Sequence, residues 1–164
     1  MNTTLNTTPS KQPICVFFNL NDVFIDSASL NRKECELKPI QGAINMLTHL
    51  QFRNIKCILL SNLKEDITRT IVDDTGLYKS FNAGEIFCFE TNSSNYTYAA
   101  NSLNFQPNQC IVVAGSLDVV TATLLAEMTP LCFTGTPCVK DKALLEEINK
   151  AFGARLTASG IECC

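Results

Sequence analysis

The chain is 164 residues long, enough for one compact domain that buries a real core. A composition that is 46% hydrophobic and 18% charged excludes wholesale disorder, and a net charge of −3 without any basic run excludes the electrostatic footprint of a nucleic-acid binder. No apolar run approaches the roughly 18 residues that a membrane-spanning helix needs, so no membrane partner is expected.

Met1 to Pro13 is polar, rich in Thr and Asn, and lacks the charged start and apolar stretch of a secretory signal; it is expected to be a disordered tail. Ile14 to Leu20 (ICVFFNL) is a run of strand formers, the mark of a strand buried on both faces. After an irregular stretch, Pro39 stands where helices begin, and Ala43, Ile44, Met46, Leu47 and Leu50 recur at helical spacing. Lys56 to Ser61 (KCILLS) reads as a second buried strand. Leu63 to Thr75 predicts a helix with Ile67, Ile71 and Val72 inward and Gly76 as its stop. Glu85 to Phe89 (EIFCF) is a third strand, Tyr96 to Leu103 a short helix, and Cys110 to Ala114 (CIVVA) a fourth strand. Leu117 to Glu127 is helical, Pro130 to Phe133 a brief fifth strand, and Lys140 to Phe152 an amphipathic last helix before a loose end.

Apolar runs alternating with helices predict an α/β fold of three layers. A parallel, Rossmann-like sheet of about five strands carries helices on both faces, joined by right-handed crossovers. The expected organisation is a tail over 1–13, one core domain over 14–153 and a flexible tail over 154–164. In such a sheet, ligands bind beyond the carboxyl ends of the strands. The residues in question are therefore Asn19 to Val23, Ser61 and Asn62, Glu90, and Gly115 to Asp118.

Nine cysteines call for an explanation. Cys15, Cys57, Cys88 and Cys110 fall inside strand-like runs, where cysteine behaves as a small buried hydrophobe. No zinc-site spacing is present, and the one histidine, His49, reads as a partly exposed helix residue. The odd cysteine count and the absence of a signal point to a reducing, cytoplasmic location. Asn-x-Ser/Thr sequons at Asn2, Asn6, Asn92 and Asn95 are then not glycosylated. The terminal Cys163-Cys164 pair resembles a doubly prenylated tail; with no polybasic segment before it, a plain tail is the preferred reading.

Three strand ends carry a resemblance. ICVFFNLNDVFIDS resembles the first motif of the haloacid-dehalogenase (HAD) superfamily, a strand ending in Asp-x-Asp-Gly-Val/Thr. LKPIQGAINMLTHLQFRNIKCILLSN resembles the family's Pro-Gly helix and second motif, a strand ending in Ser or Thr. QPNQCIVVAGSLDVVTATLLAEM resembles the fourth motif, where a strand ends in Gly-Asp-Ser before a helix. The resemblance implies a phosphatase fold in which the first aspartate attacks phosphorus and the second is general acid and base. A third-motif lysine and a second-motif hydroxyl hold the phosphoryl group, and carboxylates of the first and fourth motifs hold Mg²⁺.

At those positions this chain has Asn19 for the nucleophile, Asn21 for the acid/base, Asp22 for the glycine, Glu90 for the lysine and Gly115 for the fourth-motif aspartate. Ser61 is kept. An amide neither attacks phosphorus nor titrates near neutral pH. Losing one member of such a unit costs about 10⁴ to 10⁶ in turnover. Asp22 to Gln41 is too short to hold a cap domain, so the cleft is expected to be uncapped. The expected function is that of a catalytically inactive HAD-like domain acting by binding, to an unidentified protein or to its own copy. Its residual pocket is expected to use Asn19, Asn21, Asp22, Ser61, Asn62, Ser116 and Asp118. No cofactor is expected; weak Mg²⁺ binding stays open, with Asp118 as candidate ligand. Two alternatives stand beside this: a divergent phosphohydrolase using Asp22 or Asp118 with Ser61, and an anion or phosphometabolite sensor built on Ser61 and nearby amides. The bland reading of Asp22, Asp26 and Asp118 is as turn formers and helix caps.

Overall fold

The computed structural model describes residues 14–26, 39–132, 155–157 and 160–162. Five parallel strands make one sheet in the order β3-β2-β1-β4-β5: β1 (Cys15–Asn19), β2 (Lys56–Ser61), β3 (Ile86–Cys88), β4 (Cys110–Ala114) and β5 (Thr129–Cys132). The central strand β1 is buried at every residue, as a continuous apolar run predicts for a sheet covered on both sides. Side chains alternate between two cores. Val16, Phe18, Cys57, Leu59, Ile111 and Val113 face helices α1 (Gln41–Phe52) and α2 (Glu65–Thr75). Cys15, Phe17, Ile58, Leu60, Cys110 and Val112 face α3 (Ser93–Ser102) and α4 (Leu117–Leu125). Burying each of the two phenylalanines of β1 stabilises the fold by about 2–3 kcal/mol.

The helix ends follow local chemistry. α2 starts at Glu65 with Glu65 and Asp66 in its first turn, where negative charge opposes the helix dipole, and stops at Gly76 in the left-handed region, φ 81°. α3 starts three residues before the expected Tyr96, because the Asn92 side chain accepts a hydrogen bond from the Asn95 amide at 2.8 Å and caps the helix. On α2 the inward stripe is Thr68, Ile71 and Val72, not Ile67, which is 45% exposed. Thr68 takes the inward place because its hydroxyl has a buried partner, Ser61 Oγ at 2.7 Å. Cys15, Cys57 and Cys110 are buried as expected, whereas Cys88 on the edge strand β3 is half-buried. α4 is apolar on its outer side too: Leu117, Leu124 and Leu125 are exposed.

After β1 the chain doubles back in a tight turn. Phe24 and Ile25 donate backbone hydrogen bonds to Leu20 O, each at 3.1 Å, and Asn21 bridges Ile25. Val23, Phe24 and Ile25 are wholly buried, and Phe24 packs against Phe18 and edge-on to Phe81. The Ile40 amide then returns to Phe24 O at 2.6 Å.

Arg155–Thr157 (β6) and Gly160–Glu162 (β7) pair as a short antiparallel ladder, in a stretch where the sequence suggests no element. The expected tail over 1–13, the helix over Lys140–Phe152 and the Cys163-Cys164 pair lie outside the described residues. No helix of the described residues is long and apolar enough to cross a membrane.

Candidate functional site

At the carboxyl edge of the sheet, β1, β2, β3 and β4 end around a cleft of about 710 Å³. Its floor is amide-rich. Asn19, the last residue of β1, is 6% exposed, and its Nδ2 donates to Val113 O across β4 at 3.3 Å. Asn21 Nδ2 donates to Asn62 Oδ1 beyond β2 at 2.9 Å, while Asn21 Oδ1 is buried without a hydrogen-bond partner. Beneath Asn19 and Thr91 lies the Tyr96 hydroxyl, from a ring only 1% exposed. Burial raises the Tyr96 pKa; Asn19 and Thr91 pull the other way, and neither completes a hydrogen bond of good geometry with it.

Of the residues expected in the pocket, Asn19, Asn21, Asp22, Asn62, Ser116 and Asp118 line the cleft, and so does Glu90. Ser61 does not. Its side chain turns to the α2 side of the sheet, where the hydroxyl bonds Thr68 Oγ1 at 2.7 Å and accepts the Leu63 amide at 3.2 Å. The reason is strand parity: Cys57, Leu59 and Ser61 point to one face, and Leu60 to the other, beside Asn19. The hydroxyl thought to be kept for a phosphoryl oxygen thus caps the turn into α2. Lys79, the lysine nearest to Glu90 in the sequence, sits in a single 3-10 turn over Leu77–Lys79, its Nζ above the Tyr78 ring at 5.8 Å, and does not line the cleft.

Gly115 and Asp22 are packed as a pair. Asp22 holds a left-handed backbone, φ 63°, at the position where the resemblance has glycine. A Cβ on Gly115 would lie 2.4 Å from Asp22 O and 2.7 Å from Asp22 C. The backbone of the turn fills the space that a side chain at 115 needs. Asp118 stands in the first turn of α4, exposed, and Glu90 follows β3, exposed, its carbonyl accepting Asn95 Nδ2 at 2.9 Å.

The Mg²⁺ that the resemblance implies does not fit these residues. Asn19 offers a neutral amide already engaged with Val113 O, Gly115 offers no side chain, and the space for one is taken. Among the described residues, no three Asp, Glu, His or Cys side chains converge on a point that a metal ion could share.

Sequence reasoning missed the far wall. Thr91, Asn92 and Ser93 at the start of α3, and Thr121 and Leu125 on α4, also line the cleft. The signal was the Asn92 cap, which brings the start of α3 to the sheet edge.

No protein-family model matches the chain, and no curated protein matches it by sequence. Solved structures do match by shape. A HAD family hydrolase from Deinococcus radiodurans, with bound phosphate and sodium, has a TM-score of 0.63 at 16% identity, over 80% of this chain and 87% of its own. A HAD hydrolase of family IA, variant 3, from Entamoeba histolytica has a TM-score of 0.60 at 14% identity, over 84% and 88%. An Asp-to-Asn variant of CbbY from Rhodobacter sphaeroides, in complex with xylulose-(1,5)bisphosphate, has a TM-score of 0.63 at 9% identity, over 80% and 89%. By its parallel sheet, its strand order and these likenesses, the chain has the fold of the HAD hydrolases.

Proposed function

We propose that this domain acts by binding rather than by phosphoryl transfer. The observation that carries the reading is the centre of the cleft. Where the resemblance places two catalytic aspartates, Asn19 and Asn21 spend their amide groups on Val113 O and Asn62 Oδ1. Phosphoryl transfer is driven by positioned cations that neutralise charge on the transferring oxygens. Among the described residues the cleft is lined by Glu90, Asp118 and Asp22 and by no Lys, Arg or His. Ser61, the hydroxyl that either phosphate-handling alternative needs, is engaged on the other face of the sheet.

The reading includes an uncapped cleft, because only residues 27–38 separate the turn after β1 from Pro39, too few for a domain of their own. Its partner side, another protein or a second copy of the chain, is supported by α4, whose exposed Leu117, Leu124 and Leu125 give it an apolar outer face as well as an inner one. The test is an assay of p-nitrophenyl phosphate and a set of phosphosugars with Mg²⁺. The expected result is no turnover above buffer; turnover that Asp22→Ala abolishes would overturn the reading.

A further inference from the structure

Resting on the binding reading and deepening its partner side, we infer that the outer face of α4 is the contact between two copies of this chain, packed antiparallel about Thr121. The two sides of the sheet carry different helices. α2 presents Glu65, Asp66, Arg69, Asp73 and Asp74 to solvent, an ordinary solvated face. α4 exposes five positions, of which three are Leu117, Leu124 and Leu125, one is Thr121 and one, Asp118, is charged. The three leucines are 77%, 56% and 70% exposed. Tyr98, 63% exposed, lies on the outer side of α3, opposite buried Tyr96, Ala99 and Ala100, in the same helical layer.

The size of this surface fits a homodimer. At about 200 Å² for a wholly exposed leucine or tyrosine, the four side chains present roughly 500 Å². A standard interface takes about 800 Å² from each partner, about 65% of it apolar in homodimers, so roughly 500 Å² is the apolar share that one copy must bring. The order of the residues selects a second copy over a foreign protein. A two-fold contact needs a patch that matches itself after half a turn. α4 spans nine residues centred on Thr121, with leucine at both ends. An antiparallel crossing there sets Leu117 of each copy on Leu125 of the other. The small Thr121 side chains meet at the axis and let the helices approach to about 8–10 Å. The two Asp118 carboxylates then stand about 9 Å apart along the axis, where salt screens much of their repulsion. Asp118, Thr121 and Leu125 also line the cleft, so each copy rests on the wall of the other's cleft.

Sedimentation velocity of the full chain from about 1 to 100 μM tests this, and is expected to show monomer passing into dimer. Leu117→Lys and Leu124→Lys, both at exposed positions, should each weaken the dimer about a hundredfold, because a substitution enters a two-fold contact twice at about tenfold each. Phe52→Lys, at an apolar residue more exposed still on α1, should change nothing. Thr121→Cys should give a disulfide-linked dimer under mild oxidation that Phe52→Cys does not, since the crossing brings the two Cα atoms within the bridging range of about 4.4–6.8 Å. A monomer at every concentration, a dimer indifferent to both lysines, or a Thr121→Cys protein that cross-links no better than Phe52→Cys would overturn the inference. A monomer whose melting temperature falls in both lysine variants assigns the face instead to residues 133–154 of the same chain. A monomer that keeps its melting temperature and binds another protein through Leu117 and Leu124 assigns it to that partner. Either result leaves the reading of the cleft standing, whereas Asp22-dependent phosphatase turnover removes that reading and leaves the sedimentation result as it is.

Discussion

Three glycines offer a graded test of how tightly the turn after β1 packs on the end of β4, two of them serving as references elsewhere in the fold. At Gly115 an added Cβ meets the backbone of Asp22 at 2.4 Å, far inside contact distance. The obstacle cannot retreat cheaply. The Asp22 amide is bonded to Ile25 O, the turn closes on Leu20 O, and Val23 to Ile25 are wholly buried. Gly115→Ala is therefore expected to destabilise the domain by about 2–3 kcal/mol, the upper part of the range for forced overpacking. For a chain of this length that is a fall of roughly 4–12 °C in Tm. Gly76→Ala has open space but a φ of 81°, so it should cost about 1–2 kcal/mol from backbone strain alone. Gly84→Ala has neither obstacle and should stay within about 0.5 kcal/mol of the parent. Urea melts of the three variants read the order directly. A Gly115→Ala protein as stable as the Gly84→Ala protein, or more stable than Gly76→Ala, would refute the packing argument. The same obstacle governs Gly115→Asp: supplying a carboxylate at this position does not by itself rebuild a metal site.

Two further predictions concern groups buried elsewhere. Burial pushes the Cys57 and Cys110 thiols up to about 12 and Cys15 higher still, so all three stay protonated in the folded chain when the unfolded chain, with thiols near 9, has begun to ionise. The unfolded state then binds fewer protons, so stability is full below pH 9 and is lost as pH rises toward 12, by about 1.4 kcal/mol per thiol at pH 10. Urea melts at pH 8 and pH 10 should show the fall, Cys57→Val should lessen it, and equal stability at the two pH values would contradict it. Thr68→Val, which keeps the shape and removes the hydroxyl, should cost about 1–2 kcal/mol by stranding buried Ser61 Oγ with the Leu63 amide as its remaining partner; an unchanged midpoint would show that this bond adds nothing.

The strands were readable because parallel sheets leave continuous apolar runs: KCILLS and CIVVA match β2 and β4 residue for residue. The cleft floor was readable for the same reason, since strand ends fix which residues gather there. What the sequence hid was facing and packing. Ser61 looks like a cleft residue until its parity with Cys57 and Leu59 is seen. Ile67 looks like core until Thr68 finds a buried partner. Asp22 in place of the resemblance's glycine and Gly115 in place of its aspartate read as two separate departures in one dimension, yet in space the backbone of Asp22 occupies the room of a side chain at 115.

The turn after β1 has a consequence for grafting. Since the Ile40 amide bonds Phe24 O, the described chain on either side of residues 27–38 is pinned together at neighbouring points of the core. A loop whose two ends are already pinned together changes length at little entropic cost, about 0.6 kcal/mol for each doubling. Residues 27–38 are thus a natural place for inserted sequence: a peptide tag or a foreign binding segment spliced between the pinned ends is expected to leave the stability of the domain nearly unchanged.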